Sequence, residues 1–483
     1  MTPADRALPS WVAGSPGTGG SVVEVRHPFD GRMVGWAFQA GDADVERAVA
    51  AADACRGALA ALPARERAAA LGHVSQALGE RREDVARLIT AESGKPVRWS
   101  RIEVDRAAAT FRWAAEEARR WSGELQRLDT EPGGDGRLAL IRRVPRGPVL
   151  GITPFNFPLN LVAHKVAPAL AIGAPVIVKP APATPLTALC LGEILAETEL
   201  PPGAWSVLPM TDEKAAETVT DPRLPVVSFT GSVPVGWRIR ESVPRKHVTL
   251  ELGGNAAAVV CADFSADDDL EYAAARIATF AMCQAGQSCV SVQRVYAHRS
   301  VVDELVKRTL THVAALGLGD PFDDATDVGP LIDEAAARRV ESWIGEAVAA
   351  GGRLLAGGSR SGTTFAPTVL TDVPEDAKVV AHEVFGPVVT ITAVDDDDEA
   401  YARVNASAFG LQVGVFTRDV RSAFHAHRVL DVGGVIIGDV PSYRAEQMPY
   451  GGVKDSGAGR EGVRSTMADL SVERVLVLTG LAL

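Results

Sequence analysis

Apolar residues recur at helical spacing over residues 44–59 and 64–93, in segments dominated by Ala, Leu, Arg and Glu, and residues 105–122 continue the pattern. The spacing predicts a layer of helices. Beyond it stand short apolar runs at 147–152, 174–179 and 225–230, separated by helical stretches at 162–172 and 187–199. Short buried strands alternating with helices predict parallel βαβ units in an open sheet. A second alternating block covers about 256–438, with strand-like runs at 294–297 and 411–416 and helix-like segments at 302–316 and 334–350. The seam falls near Gly253-Gly254, where a glycine pair permits a sharp chain path. Glu251 therefore closes one block and Cys289 lies early in the next, which places both near a domain interface, a common location for enzyme chemistry.

Composition narrows the function classes. A chain of 483 residues with 47% hydrophobic content can bury large cores and divides into roughly two to four units. A net charge of −12 argues against a nucleic-acid grip, which needs a concentrated Lys/Arg surface. The five cysteines, Cys55, Cys190, Cys261, Cys283 and Cys289, are odd in number and scattered, unlike a disulfide framework, so a reducing cytosol is expected. Residues 1–20 lack the apolar core of a signal peptide, and no run approaches the roughly 18 apolar residues of a membrane span. The expectation is a cytoplasmic protein without a membrane partner. No Cys/His cluster has zinc spacing, so no metal is expected. The acidic run at 395–399 reads as the solvated start of a helix, where negative charge meets the positive end of the dipole.

The candidate chemistry centres on Cys289, in the run Gln284-Ala285-Gly286-Gln287-Ser288-Cys289-Val290. Most free cysteines are buried small hydrophobes, but Gly286 and the polar Gln284, Gln287 and Ser288 make a poor core strand. A thiol as nucleophile, a carboxylate such as Glu251 as base and a side-chain amide such as Asn156 as oxyanion donor are the parts of covalent carbonyl chemistry. Taken singly, Glu251 could be a helix cap or surface residue and Asn156, between Pro154 and Pro158, a turn residue.

The order of motifs decides between these readings. Asn156, Lys179-Pro180, Phe229-Thr230-Gly231-Ser232, Glu251-Leu252-Gly253-Gly254, Cys289, Glu383-Val384-Phe385-Gly386-Pro387 and Pro449-Tyr450-Gly451-Gly452, followed by Ser456-Gly457, span nearly the whole chain. Jointly they resemble the aldehyde dehydrogenase superfamily. The resemblance implies an α/β fold with two Rossmann-like open-sheet domains and a small β-strand oligomerisation arm. It assigns residues 1–120 and 147–254 to a nicotinamide cofactor-binding domain, 255–440 to a catalytic domain, and 121–146 with 464–483 to the arm, which makes a homodimer or homotetramer.

The implied activity is oxidation of a small aldehyde to its carboxylic acid with NAD or NADP. Cys289 is the implied nucleophile, Asn156 and the Cys289 backbone N–H the oxyanion donors, and Glu251 the base that activates water to hydrolyse the thioester. Thr153, Pro154, Phe155, Lys179, Pro182, Gly231, Ser232, Gly253, Glu383 and Phe385 are the implied cofactor contacts. Lys179 closes a predicted strand, where open α/β sheets bind ligands, and Gly231-Ser232 lead into a helix start suited to pyrophosphate. Many NAD-preferring members carry a glutamate three residues after this lysine; here Pro182 offers no acceptor and no charge to repel a 2′-phosphate. NADP stays open, with NAD ranked slightly ahead on the family's habit.

For substrate, Asn160 through Pro168, Gln287-Ser288-Cys289 and Glu446 through Gly452 resemble the lactaldehyde, phosphonoacetaldehyde and non-phosphorylating glyceraldehyde-3-phosphate group. Arg120, His164 and Arg444 are the candidates for an anionic tail, to which arginine's planar fork is suited. Ser288 stands where some phosphate- or phosphonate-using relatives have arginine, which favours a smaller polar or singly charged aldehyde. The competing reading is a thiol-based esterase or acyl transferase that uses Cys289 without redox turnover; a non-catalytic scaffold fits poorly with Cys289, Glu251 and Asn156 all present.

Overall fold

The computed structural model describes residues 7–481, so the first residues of the 1–20 reading and the last two of the expected arm lie outside the described residues. An eight-stranded sheet has five parallel strands in the order His247–Glu251, Val226–Thr230, Val149–Ile152, Val176–Lys179 and Trp205–Val207. Val149–Ile152 and Val176–Lys179 are buried at every position, which is why they read as uninterrupted apolar runs. Chain order runs outward from Val149–Ile152 in one direction and then resumes on its other side at Val226–Thr230. That reversal creates a switch point, and the crevice beyond the carboxyl ends of such strands is where ligands bind. Thr153 through Asn156, Gly231 and Lys179 all sit at those ends.

The second sheet has seven strands and is parallel from Thr368–Thr371 through Val388–Val394, Arg294–His298, Ala257–Val260 and Gln412–Phe416 to Gly434–Ile437. A third sheet joins Ser471–Leu478, Leu138–Pro145 and Glu124–Arg127 in antiparallel register, pairing the two segments read from sequence as one arm. It leaves Val475 and Leu476 each 56% exposed. Among the described residues no helix is long and apolar enough to cross a membrane. The acidic run at 395–399 begins the helix Asp397–Asn405, with the Asp396 side chain accepting from the Glu399 N–H.

The helical layer differs from its sequence pattern in two places. The run expected at 64–93 divides into Ala64–Glu80 and Arg82–Ser93, because Arg81 leaves helical geometry and bends the chain while Leu71, Val74, Val85 and Ile89 stay in one core. The next helix begins at Val97, ahead of the expected 105, since Pro96 is suited to a helix start. Two buried carboxylates from this layer cap helices of the first sheet. Glu92 accepts from the N–H groups of Leu186 and Thr187 at 2.7 and 3.0 Å, and Glu103 accepts from those of Leu159 and Asn160 at 2.9 and 3.1 Å. Glu103 is also ion-paired with buried Lys95.

Candidate active site

A cavity of about 610 Å³ is lined by residues from the ends of both large sheets, by the helix Val97–Arg120 and by the loop around Tyr450. Cys289, Glu251 and Asn156 all line it. Their convergence follows from the topology. Asn156 lies just beyond Val149–Ile152, Glu251 ends the strand His247–Glu251, and Cys289 follows the helix Asp267–Met282 through a tight turn.

That turn is strained. Gln284, Ala285 and Gly286 are consecutive left-handed residues with φ of 53°, 54° and 68°. A Cβ on Gly286 would stand 2.0 Å from the Gly386 carbonyl oxygen, so the third position requires glycine. The turn is tied down by Gln284 Nε2, which donates to the Asn156 carbonyl, and by Asn156 Nδ2, which donates to the Gln287 carbonyl at 2.9 Å. Gln287 is pinned in turn, its Oε1 accepting from Ile332 N–H at 2.9 Å. Thus the amide and the thiol are held by one reciprocal lattice, which is how a strained loop keeps a fixed shape.

Cys289 is half-buried, and its Sγ lies 3.1 Å from the Tyr450 hydroxyl. Burial pushes the thiol up to about 11, helped by Glu383 and Glu251 and opposed by Tyr450 and Arg444. Glu251 is 4% exposed and neither carboxyl oxygen has a hydrogen-bond partner among the described residues. Burial, then the neighbouring Glu461, raises its carboxyl well above the ordinary range. Glu461 moves the opposite way: burial alone would raise it, but Lys165 at 3.2 Å and Arg444 at 3.1 Å hold it ionised. Two facing carboxylates therefore have divided roles, one fixed as an anion and one poised to take a proton.

The cofactor-side residues form a second cluster along the same crevice. Gly254 N–H donates to Glu383 Oε1 at 3.0 Å, and a Cβ on Gly253 would stand 2.1 Å from Glu383 Oε2. Gly253 thus leaves the room that Glu383 occupies. Burial pushes Glu383 up to about 7. Phe155 and Phe385 meet edge to face at 5.8 Å, making an aromatic wall beside it. Pro154, Gly231 and Ser232 line the cavity, and Ser232 is the exposed N-cap of the helix Val233–Ser242. Thr153 is buried, its N–H bonded to the Lys179 carbonyl at 3.1 Å. Lys179 and exposed Pro182 stand further along the sheet edge, outside this cavity, and Lys179 Nζ donates to Asp212 Oδ1 at 2.7 Å. A cradle with acceptors, an aromatic wall and a helix start fits a dinucleotide.

Among the described residues no group of three or more His, Cys, Asp or Glu could hold a metal ion. The comparisons then fix the class. The model of the aldehyde dehydrogenase family matches residues 11–475.

The protein belongs to the aldehyde dehydrogenase family.

Relatives of this dehydrogenase agree over most of their length. The 3-sulfolactaldehyde dehydrogenase of Priestia aryabhattai is 42% identical over 437 residues, 90% of each chain. Aldehyde dehydrogenase 21 from Physcomitrella patens, solved in complex with the reaction product succinate, is 42% identical with a TM-score of 0.97 and full coverage of both chains. The NADP-dependent glyceraldehyde-3-phosphate dehydrogenase from Bacillus halodurans, complexed with NADP, is 34% identical with a TM-score of 0.94, covering 98% of this chain and 100% of its own. The protein is an NAD(P)-dependent oxidoreductase acting on an aldehyde, and the comparisons give the redox-free acyl-transfer alternative no support.

The substrate candidates fall in three different places. Arg444 lines the cavity, its side chain 7% exposed. His164 is fully buried behind the wall, Nε2 lying 2.5 Å from Glu446 Oε2. Arg120 is not brought to the cavity at all: its side chain is 61% exposed and pairs with Glu117 on the helix surface. Sequence reasoning gave no role to Tyr450, Glu461 or Lys165. Tyr450 was visible only as part of a motif, and no local signal marks Lys165 and Glu461 as partners 296 positions apart.

Proposed function

We propose that the dehydrogenase oxidises a small aldehyde with an anionic tail through a covalent intermediate on Cys289, which Glu251 then releases. The thiolate of Cys289 attacks the aldehyde carbon and forms a thiohemiacetal oxyanion. Asn156 Nδ2, placed against the Cys289 loop, and the Cys289 N–H donate to that oxygen; one such donor is typically worth about 10²–10³ in rate. The crevice beside Glu383 and Phe385 would hold NAD(P), which would supply the hydride acceptor for this carbon. Glu251 then removes a proton from water, and the resulting hydroxide adds to the acyl carbon and expels the Cys289 thiolate, releasing the carboxylic acid. A carboxyl whose proton affinity is raised by burial is a stronger base for that step than an ordinary surface glutamate. The single observation that carries the reading is the convergence of Cys289, Glu251 and Asn156 on one cavity at the junction of the two sheets.

The anionic tail is supported by Arg444. Arg444 lines the cavity, and its Nε is a buried donor with no hydrogen-bond partner among the described residues, beside the ion pair with Glu461. Relatives named for sulfolactaldehyde and bound to succinate point to a sulfonate or carboxylate, and Ser288 fits a singly charged tail. NAD is the preferred cofactor in this reading: Asp212 pairs with Lys179, the residue that would hold the adenosine ribose, and adds negative charge beside it, while Pro182 adds no cation. The exposed Val475 and Leu476 of the arm support a homodimer or homotetramer, in a cytoplasmic setting.

An initial-rate screen of neutral, hydroxylated, carboxylated, sulfonated and phosphonylated aldehydes with each nicotinamide cofactor tests the reading. Carboxylated or sulfonated aldehydes with NAD should give the highest kcat/KM, and Cys289→Ala should abolish turnover. Turnover that survives Cys289→Ala would remove the nucleophile from the mechanism.

A further inference from the structure

We propose that the Tyr450 hydroxyl is a catalytic group of this dehydrogenase, donating a hydrogen bond to the Cys289 sulfur and so stabilising its thiolate. The inference rests on Cys289 being the nucleophile. The Oη–Sγ separation of 3.1 Å is hydrogen-bond distance for sulfur. The contact is also imposed by the surroundings. Tyr450 is 4% exposed and packs with Val290 and Leu411, and the Arg444 guanidinium carbon lies 4.0 Å from its ring centroid. Its backbone exchanges two hydrogen bonds with Glu461, at 2.9 and 2.7 Å. The ring is held by Arg444, by Val290 and Leu411 and along the chain, with its hydroxyl delivered to the sulfur.

Charge explains why such a donor is needed. The groups that act on Cys289 are Tyr450, Glu383, Arg444 and Glu251. The two carboxyls oppose a thiolate, and Arg444 already shares its charge with Glu461. Burial, with Cys289 and Glu251 and against Arg444, pushes the Tyr450 phenol well above its ordinary value. It therefore keeps its proton and acts as a donor, never as the base. The proton that leaves Cys289 passes to solvent. Attack on the aldehyde carbon uses the sulfur electron pair and weakens the Tyr450 bond. When water has added to the thioester and the C–S bond breaks, the pair returns to sulfur and the bond reforms. One hydroxyl thus assists the nucleophile before acylation and the leaving group after it.

The test is Tyr450→Phe, which keeps the ring over Arg444 and removes only the hydroxyl. The readout is the pH dependence of Cys289 alkylation by iodoacetamide in the full-length enzyme, with the modified peptide identified by mass spectrometry. Loss of a hydrogen bond to a charged group should move the profile upward by about one pH unit, making alkylation about tenfold slower at a fixed pH on the rising limb. The melting temperature should stay close to that of the parent, which separates the effect from a packing defect. Superimposable alkylation profiles would overturn the role of Tyr450. Aldehyde oxidation retained by Cys289→Ser would instead overturn the reading on which it depends.

Discussion

Glu251→Gln separates the two halves of the reaction and reports on stability as well. The substitution preserves shape, and among the described residues neither carboxyl oxygen has a hydrogen bond to lose. Acylation of Cys289 does not need this carboxyl, whereas deacylation loses its base, typically worth 10²–10⁴ in rate or about 3–5.5 kcal/mol. Rapid mixing with excess aldehyde and cofactor should therefore give a burst of about one reduced nicotinamide per site, followed by a steady rate lower by about that factor. Mass spectrometry should find the acyl group on the peptide containing Cys289. The stability arm follows from the raised carboxyl. Above roughly pH 4.3, where the unfolded chain releases this proton, the folded state still binds it, so stability falls as pH rises toward the folded value, by about 1.4 kcal/mol per pH unit. Gln carries no such slope. The variant should match the parent near pH 4 and become progressively more stable relative to it as pH increases. A linear progress curve at the parental rate, or melting curves whose difference is independent of pH, would refute the assignment.

Three further outcomes follow from the site. Arg444→Ala should raise KM for a carboxylated or sulfonated aldehyde by at least tenfold more than for a neutral aldehyde of similar size; equal effects would reject anion recognition. Gly253→Ala places a methyl group 2.1 Å from Glu383 Oε2 and should displace that carboxylate from the Gly254 N–H. Loss of a charge-assisted bond of about 1.5–3 kcal/mol corresponds to roughly 10–150-fold weaker cofactor binding, measurable by titration calorimetry. Asp212→Asn removes the negative charge beside Lys179 and should improve kcat/KM for NADP relative to NAD, checked by initial rates with both.

Legibility in the sequence tracked burial and separation. The central strands were readable because burial on both faces makes them continuous apolar runs, as at Val176–Lys179. The arm segments came forward only through the family resemblance, and the structure pairs Ser471–Leu478 with Leu138–Pro145. The strands between Ala7 and Phe38 were not marked: they are short, partly exposed pieces such as Ser10–Val12, which takes its place only by joining a distant edge at Trp205–Val207. Motif order brought Cys289, Glu251 and Asn156 forward as candidates, and the fold gathers them. Arg120 and Arg444 look alike as letters, yet one faces solvent beside Glu117 and the other is buried against Glu461. Only tertiary contacts distinguish them.

The carboxylate of Glu103 has a consequence for redesign of the pocket. It holds Lys95, whose side chain lines the cavity 4.0 Å from the Phe157 ring centroid, and it also terminates the helix Asn160–Ile172. Changing Lys95 to admit a different aldehyde would strand a buried anion, at a cost of about 3–5 kcal/mol. Specificity on that wall is thus tied to the folding of the cofactor-side sheet. Arg444 is tied in the same way, since its removal would leave buried Glu461 to Lys165 alone.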